Sequence, residues 1–140
     1  SVRRAQDAEA LRRRLGDRFV PLIFDVTDTA AVQRGAAQVA TTIGDSTIAA
    51  LVNNAGIAVP GPLLHLPLDE FRHQIEVNLT AQLAVTQAFA PLLGVDGDRQ
   101  GAPGRIVMIS SQSGKAGPPF LGPYAASKHA LEGMSESLRR

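Results

Sequence analysis

Two short apolar runs, Ile48-Ala-Ala-Leu-Val-Asn-Asn-Ala-Gly56 and Arg105-Ile-Val-Met-Ile-Ser-Ser111, flank one long helical stretch, and this alternation constrains the fold more than any other feature. Each run ends in a turn of small or polar residues, the pattern of a short buried strand. Upstream, Phe19 to Val26 reads the same way and closes in Asp25-Val26-Thr27-Asp28. Helical patterns fill the intervals. Ala5 to Leu15 is one, with Gly16 as its stop; a second runs from a Thr27 or Asp28 cap toward Thr42. A third spans Pro67 to about Leu93 with a break near Asn78, and a last one begins at Pro123, where a first-turn proline is tolerated, and continues to Arg140. Strands alternating with helices call for right-handed crossovers and a parallel sheet covered on both faces, an α/β doubly wound architecture. Ligands of such sheets bind at the carboxyl ends of the strands. Asp25, Asn53 to Gly56 and Ser111 fall at those ends, and Tyr124 opens the helix that follows.

Several functions are disfavoured by composition. The 140 residues suffice for one ordinary domain. A formal net charge of +1 predicts no nucleic-acid partner, and Arg12, Arg13 and Arg14, with Arg3 and Arg4, read as a solvated helix face. The chain has no cysteine, so disulfides and thiolate metal sites are unavailable, which fits a reducing cytoplasm. His65, His73 and His129 are scattered, and no metal site is predicted. No apolar run approaches the roughly 20 residues of a membrane span, and the first residues do not read as a signal peptide, so no membrane partner is predicted.

The chemistry is concentrated in Gly122-Pro-Tyr-Ala-Ala-Ser-Lys-His-Ala-Leu131. Tyr124 and Lys128 are four residues apart, so on a helix the phenol and the ammonium share a face. A cation held there favours the phenolate, which suits the hydroxyl to exchanging a proton with a substrate oxygen. Ser111 lies thirteen residues before Tyr124, and Asn78 interrupts the long helix in Glu76-Val-Asn-Leu-Thr80. A mid-helix asparagine also has a purely structural use, bonding nearby backbone and kinking the helix.

Asn53-Asn-Ala-Gly56, Asn78, Ser111, Tyr124 and Lys128, in this order and spacing, resemble the classical short-chain dehydrogenase/reductase family from about Asp25 to the last residue. The resemblance implies a Rossmann-like sheet and a hydride transfer between NAD(P)(H) and a small-molecule carbonyl or secondary alcohol. Tyr124 would be the general acid/base and Lys128 its cationic partner and a ligand of the nicotinamide ribose. Ser111 would hold the substrate oxygen, and Asn78 a water relaying protons to the lysine. Asn53, Ala55 and Gly56 would line the cofactor cleft, with Asp25 and Val26 against the adenine, while Asn54 either joins them or ties strands together. Val2-Arg3-Arg4 matches the end of the family's second strand, where Arg3 favours NADP over NAD. Pro118, Pro119, Phe120 and Leu121, with Val59 and Leu63, would wall an apolar substrate pocket. A homodimer or homotetramer would form through the two long helices, with Leu79, Leu83, Phe89 and Leu93 against Leu131, Met134 and Leu138, although packing within one core explains most of these residues equally well. A non-catalytic nucleotide-sensing relative and an epimerase or dehydratase of the same fold are the alternatives.

One family feature is missing. The Gly-rich nucleotide turn after the first strand does not occur here, and residues 1–140 read as part of a single Rossmann-type domain truncated at both ends, within a reductase of about 250 residues. In the family's strand order, 3-2-1-4-5-6-7, the first two strands lie between those ending at Asp25 and Asn53. Without them these strands would stand roughly 14 Å apart and unpaired.

Overall fold

The computed structural model describes residues 1–139. Helix α1 (Ala5–Leu15) opens on an Arg4 guanidinium that grips Asp7 through two bonds of 2.8 and 2.9 Å, and it stops at Gly16, whose φ of 78° favours glycine. Arg12, Arg13 and Arg14 are exposed, the solvated face their clustering implied. Helix α2 (Thr29–Ile43) is capped by Asp28, whose carboxylate accepts from Ala31 N at 2.9 Å.

Strands β1 (Ala50–Asn53) and β2 (Arg105–Met108) pair in parallel, with Asn53 opposite Met108, and Ile109 N extends the ladder to Asn53 O at 2.9 Å. Between them run α3 (Leu68–Ile75), a π-helical turn (Glu76–Thr80), α4 (Ala81–Phe89) and a 3-10 turn (Ala90–Leu93). The break foreseen at Asn78 is therefore one wide turn inside a continuous helix. After β2 a 3-10 turn (Gln112–Gly114) leads to α5 (Gly122–Ser137); the expected continuation to Arg140 lies outside the described residues.

Phe19 to Val26 does not become a strand. It makes a single bridge, Ile23 to Val2, through Val2 N to Leu22 O at 2.9 Å and Phe24 N to Val2 O at 3.0 Å. A strand exists only as far as a neighbour satisfies its amides, and Val2 is the one neighbour among the described residues. Beyond Val2 a slot of about 400 Å³ separates Leu22, Phe24 and Val26 from Leu51, Asn53 and Ala55. It lies where the strand order placed the missing strands, and it leaves Val52 56 % exposed.

The core fills one side of the sheet, where α2 packs on α4: Phe24, Val32, Ala36, Val85, Phe89 and Leu92. Gly35 makes this possible, since a Cβ there would stand 2.7 Å from the Phe24 ring. For three of the apolar seam residues the core reading holds. Phe89, Leu93 and Leu131 are buried within this chain at 6, 2 and 1 % exposure, which leaves only Leu79, Leu83, Met134 and Leu138 for a partner. Helical periodicity marks an apolar face without saying what covers it. Among the described residues no helix is long and apolar enough to cross a membrane.

The open slot sets a test. Residues 1–140 produced alone should lack a cooperative thermal transition and give poorly dispersed amide NMR spectra, because beyond Val2 the backbone edges facing the slot have no strand partner among the described residues. A sharp melt with native-like dispersion would refute this.

Candidate active site

The site is assembled from the end of β1, the π-helical turn and the first turns of α5. Pro123 starts α5, and the four-residue spacing brings Lys128 over Tyr124, with Nζ 5.7 Å from the ring centroid. Lys128 is 4 % exposed, and a buried ammonium needs acceptors. It finds one in the Ile109 carbonyl, 2.8 Å away, just beyond β2. Its other N–H groups carry no hydrogen bond to the described residues.

Asn78 is fully buried in the π turn. Its Oδ1 accepts from Ile57 N at 2.8 Å, and its Nδ2 donates to Ile57 O at 2.9 Å and to Ser127 Oγ at 3.0 Å. Ser127 Oγ in turn donates to Tyr124 O at 2.7 Å, so the π turn is tied to the turn of α5 that carries the tyrosine. Both amide protons are engaged, and only the second lone pair of Oδ1 remains for a water. Its bonds serve the structural reading, and the remaining lone pair keeps the functional one compatible with it, in a π turn of the kind often found at functional sites.

Ser111 is extended, and its Oγ accepts from Ser113 N at 3.1 Å, capping the 3-10 turn that packs on α5. That bond uses the oxygen as acceptor and leaves the hydroxyl proton to donate elsewhere.

A cleft of about 260 Å³ lies beside this constellation and brings together Arg3, Asp25, Val26, Ala55, Gly56 and Ile57. Five of these were predicted to contact a cofactor; Asn53 was predicted too, but its side chain turns inward. Asn53 Nδ2 donates to Thr86 Oγ1 on α4 at 2.8 Å and to Met108 Sδ on β2 at 3.2 Å, so the strand-tying role considered for Asn54 falls to Asn53, and Asn54 is the exposed one of the pair. The Asp25 carboxyl is held below its usual range, first by the Thr27 backbone N–H and then by the Thr27 hydroxyl, at 3.0 and 2.8 Å. Arg4 is committed to Asp7, whereas Arg3 lines the cleft. Gly56 marks where the cleft meets the Asn78–Lys128 cluster: a Cβ there would lie 3.3 Å from Asn78 Oδ1 and 3.8 Å from Lys128 Nζ. Small residues at this wall, free ammonium donors and a cationic end fit an anionic dinucleotide.

On the opposite side, Gly61 N donates to Phe120 O at 2.8 Å, and Leu63 packs where a Gly122 side chain would be. Phe120 is 62 % exposed and has φ of 64°, a conformation bulky residues avoid and that functional sites tolerate. The predicted apolar wall is therefore two loops clasped beside the start of α5.

Sequence reasoning missed Gln74, Gln82 and Thr86, buried at 0, 2 and 3 % exposure. Gln74 exchanges two bonds with Val59, Gln82 Nε2 donates to Ala55 O at 2.6 Å, and Thr86 receives Asn53. The available signal was their four-residue spacing through Asn78, which sets all four on one face of the helix.

Parallel strands joined through helices, with a serine after one strand and a tyrosine and lysine sharing the face of the next helix, define a truncated Rossmann-like α/β domain. The family model for short chain dehydrogenase matches residues 1–140, and the chain belongs to that family. The NADPH-dependent 3-dehydrocapnine reductase of Ornithobacterium rhinotracheale is 39 % identical over 140 residues, 100 % of this chain and 49 % of the relative. A short-chain dehydrogenase from Streptomyces avermitilis superposes with a TM-score of 0.85 at 31 % identity, covering 98 % of this chain and 49 % of that one. A gluconate 5-dehydrogenase from Burkholderia cenocepacia, solved with NADP and tartrate, gives 0.82 at 30 % identity over 97 % of this chain and 52 % of its own. The chain thus spans about half the length of the relatives it matches.

Replacing Asn78 isolates its role. Asn78→Leu strands the buried N–H and C=O of Ile57 and should lower unfolding free energy by about 2–4 kcal/mol, counting two unsatisfied groups. Denaturant titration of the intact protein measures it, and a loss below about 0.5 kcal/mol, that of an ordinary surface change, would contradict the pinning role.

Proposed function

We propose that this chain is the central part of a longer NAD(P)-dependent reductase that moves a hydride between a nicotinamide cofactor and a carbonyl or secondary alcohol. The observation that carries this reading is the placement of Lys128 Nζ over the Tyr124 ring while Ile109 O anchors it. A bound nicotinamide cofactor supplies or takes up the hydride; everything else is work for the residues in hand. Tyr124 gives its hydroxyl proton to the carbonyl oxygen during reduction and takes it back during oxidation. The Lys128 ammonium lies over the Tyr124 ring and has donors for ribose hydroxyls. Ser111 donates to the same substrate oxygen, a preorganised dipole where negative charge develops. Asn78 keeps the π turn, Ile57 and α5 in mutual register and has one lone pair for a relay water.

NADP is favoured over NAD because Arg3 reaches the cleft with no committed carboxylate of its own, and an arginine suits a 2′-phosphate. The NADPH dependence of the Ornithobacterium relative and the NADP bound to the Burkholderia enzyme support the same choice. The exposed apolar loops around Phe120 and Leu63 favour an apolar substrate. Self-association through Leu79, Leu83, Met134 and Leu138 is the remaining form of the intermolecular seam.

In the intact protein Tyr124→Phe should lower turnover by roughly 10²–10⁴-fold, the usual worth of a positioned acid/base, while NADPH affinity persists. Near wild-type turnover would overturn the assignment. Arg3→Ala should raise the Kd for NADPH about tenfold, one lost charged contact, and leave that for NADH unchanged. Equal effects on both would place the cofactor preference elsewhere.

A further inference from the structure

The long helix carries a buried polar residue at every fourth position, Gln74, Asn78, Gln82 and Thr86, and these meet alternate residues of the segment after β1 in reverse order. Gln74 accepts from Val59 N at 3.0 Å and donates to Val59 O at 3.2 Å. Asn78 does the same with Ile57, Gln82 donates to Ala55 O, and Thr86 receives Asn53. Residues 53, 55, 57 and 59 are turned inward while 54, 56, 58 and 60 are exposed, the period-two alternation of an extended chain.

The match is metrical. Four residues of α-helix advance about 6 Å, and two residues of extended chain advance about 6.6 Å. Four α-helical residues also overshoot a full turn by about 40°, which over three steps would carry the last group off the face. The wider π turn of Glu76–Thr80, inside this stretch, takes up part of that drift. The helix thus acts as a side-chain substitute for a neighbouring strand. Because Ala55 lines the cofactor cleft and Val59 leads into the Gly61–Leu63 loop against Phe120 and Gly122, the two ends of the ladder address different halves of the site.

We propose that Gln82 and Gln74 are positioning residues with separate duties, Gln82 setting the cofactor wall at Ala55–Gly56 and Gln74 setting the substrate-side loop from Val59 onward. The assignment of the two halves rests on the hydride-transfer reading above; the ladder itself does not.

The test uses the intact protein, with Gln→Met at each position to keep length and remove the amide. Gln82→Met should raise the NADPH Kd about tenfold, the effect of one lost buried bond, with a smaller change in carbonyl KM. Gln74→Met should do the reverse, raising KM for a ketone such as cyclohexanone or acetophenone with NADPH Kd within about twofold. Gln87→Met, on the exposed side of the same helix, should change neither. Independently of activity, amide exchange in the unaltered protein should show Ile57 and Val59 protected and Gly56 and Ala58 fast, with Gln74→Met releasing Val59 first. Equal shifts of both constants in both variants, or no shifts, would overturn the division of labour. Unprotected Ile57 and Val59 would overturn the ladder. Should either Met variant fail to fold, Gln74→Asn and Gln82→Asn, one methylene shorter, give the same comparison. If the exchange pattern holds while NADPH does not bind, the hydride-transfer reading fails and the division of labour with it, but the ladder stands.

Discussion

An extended segment that leaves a sheet without a neighbouring strand must satisfy its backbone some other way, and here side-chain amides do it. The Asn78 carboxamide clasping both the N–H and the C=O of Ile57 is the centre of that arrangement. It fixes the segment that walls the cleft and, through Ser127, the turn that carries Tyr124. A buried amide mimics a peptide group in geometry and in donor and acceptor count, so one side chain replaces one residue of a β partner. Partial satisfaction would be costly in this dry setting, which makes the network a strict specification of local geometry.

Charge is distributed to match. The cleft end offers Arg3, free of the ion pair that holds Arg4. Asp25 is kept ionised by Thr27, and its charge serves the turn before α2. Lys128, the buried cation whose Nζ lies over the Tyr124 ring, is met by a carbonyl dipole.

Much of this was legible in the residues. Gly16 and Asp28 announced helix ends because their preferences are local, and the Tyr124–Lys128 face followed from helical spacing alone. Phe19 to Val26 failed as a strand because strand formation is a property of pairs, and Val2 offers a partner for only one residue. Phe89, Leu93 and Leu131 could be read as interface or as core because an apolar stripe looks the same whether a neighbouring helix or a second molecule covers it, and the structure buries all three within the chain. Gln74 and Gln82 escaped notice because their meaning lies in a segment fifteen to twenty-seven residues away, and polar residues on helices are ordinarily solvated. Asn53 and Asn54 could not be told apart until the strand's inward face was fixed.

The bond from Lys128 to Ile109 O carries an implication for assembly. That carbonyl meets the ammonium while Met108 stands opposite Asn53. A slip of one residue in the pairing of β2 would turn its side chains to the wrong face and withdraw the carbonyl from a nearly inaccessible cation. A misaligned sheet would then be penalised at the very place where the proposed chemistry is centred. The buried ammonium thus doubles as a proofreader of the fold, favouring molecules whose strands are correctly zipped.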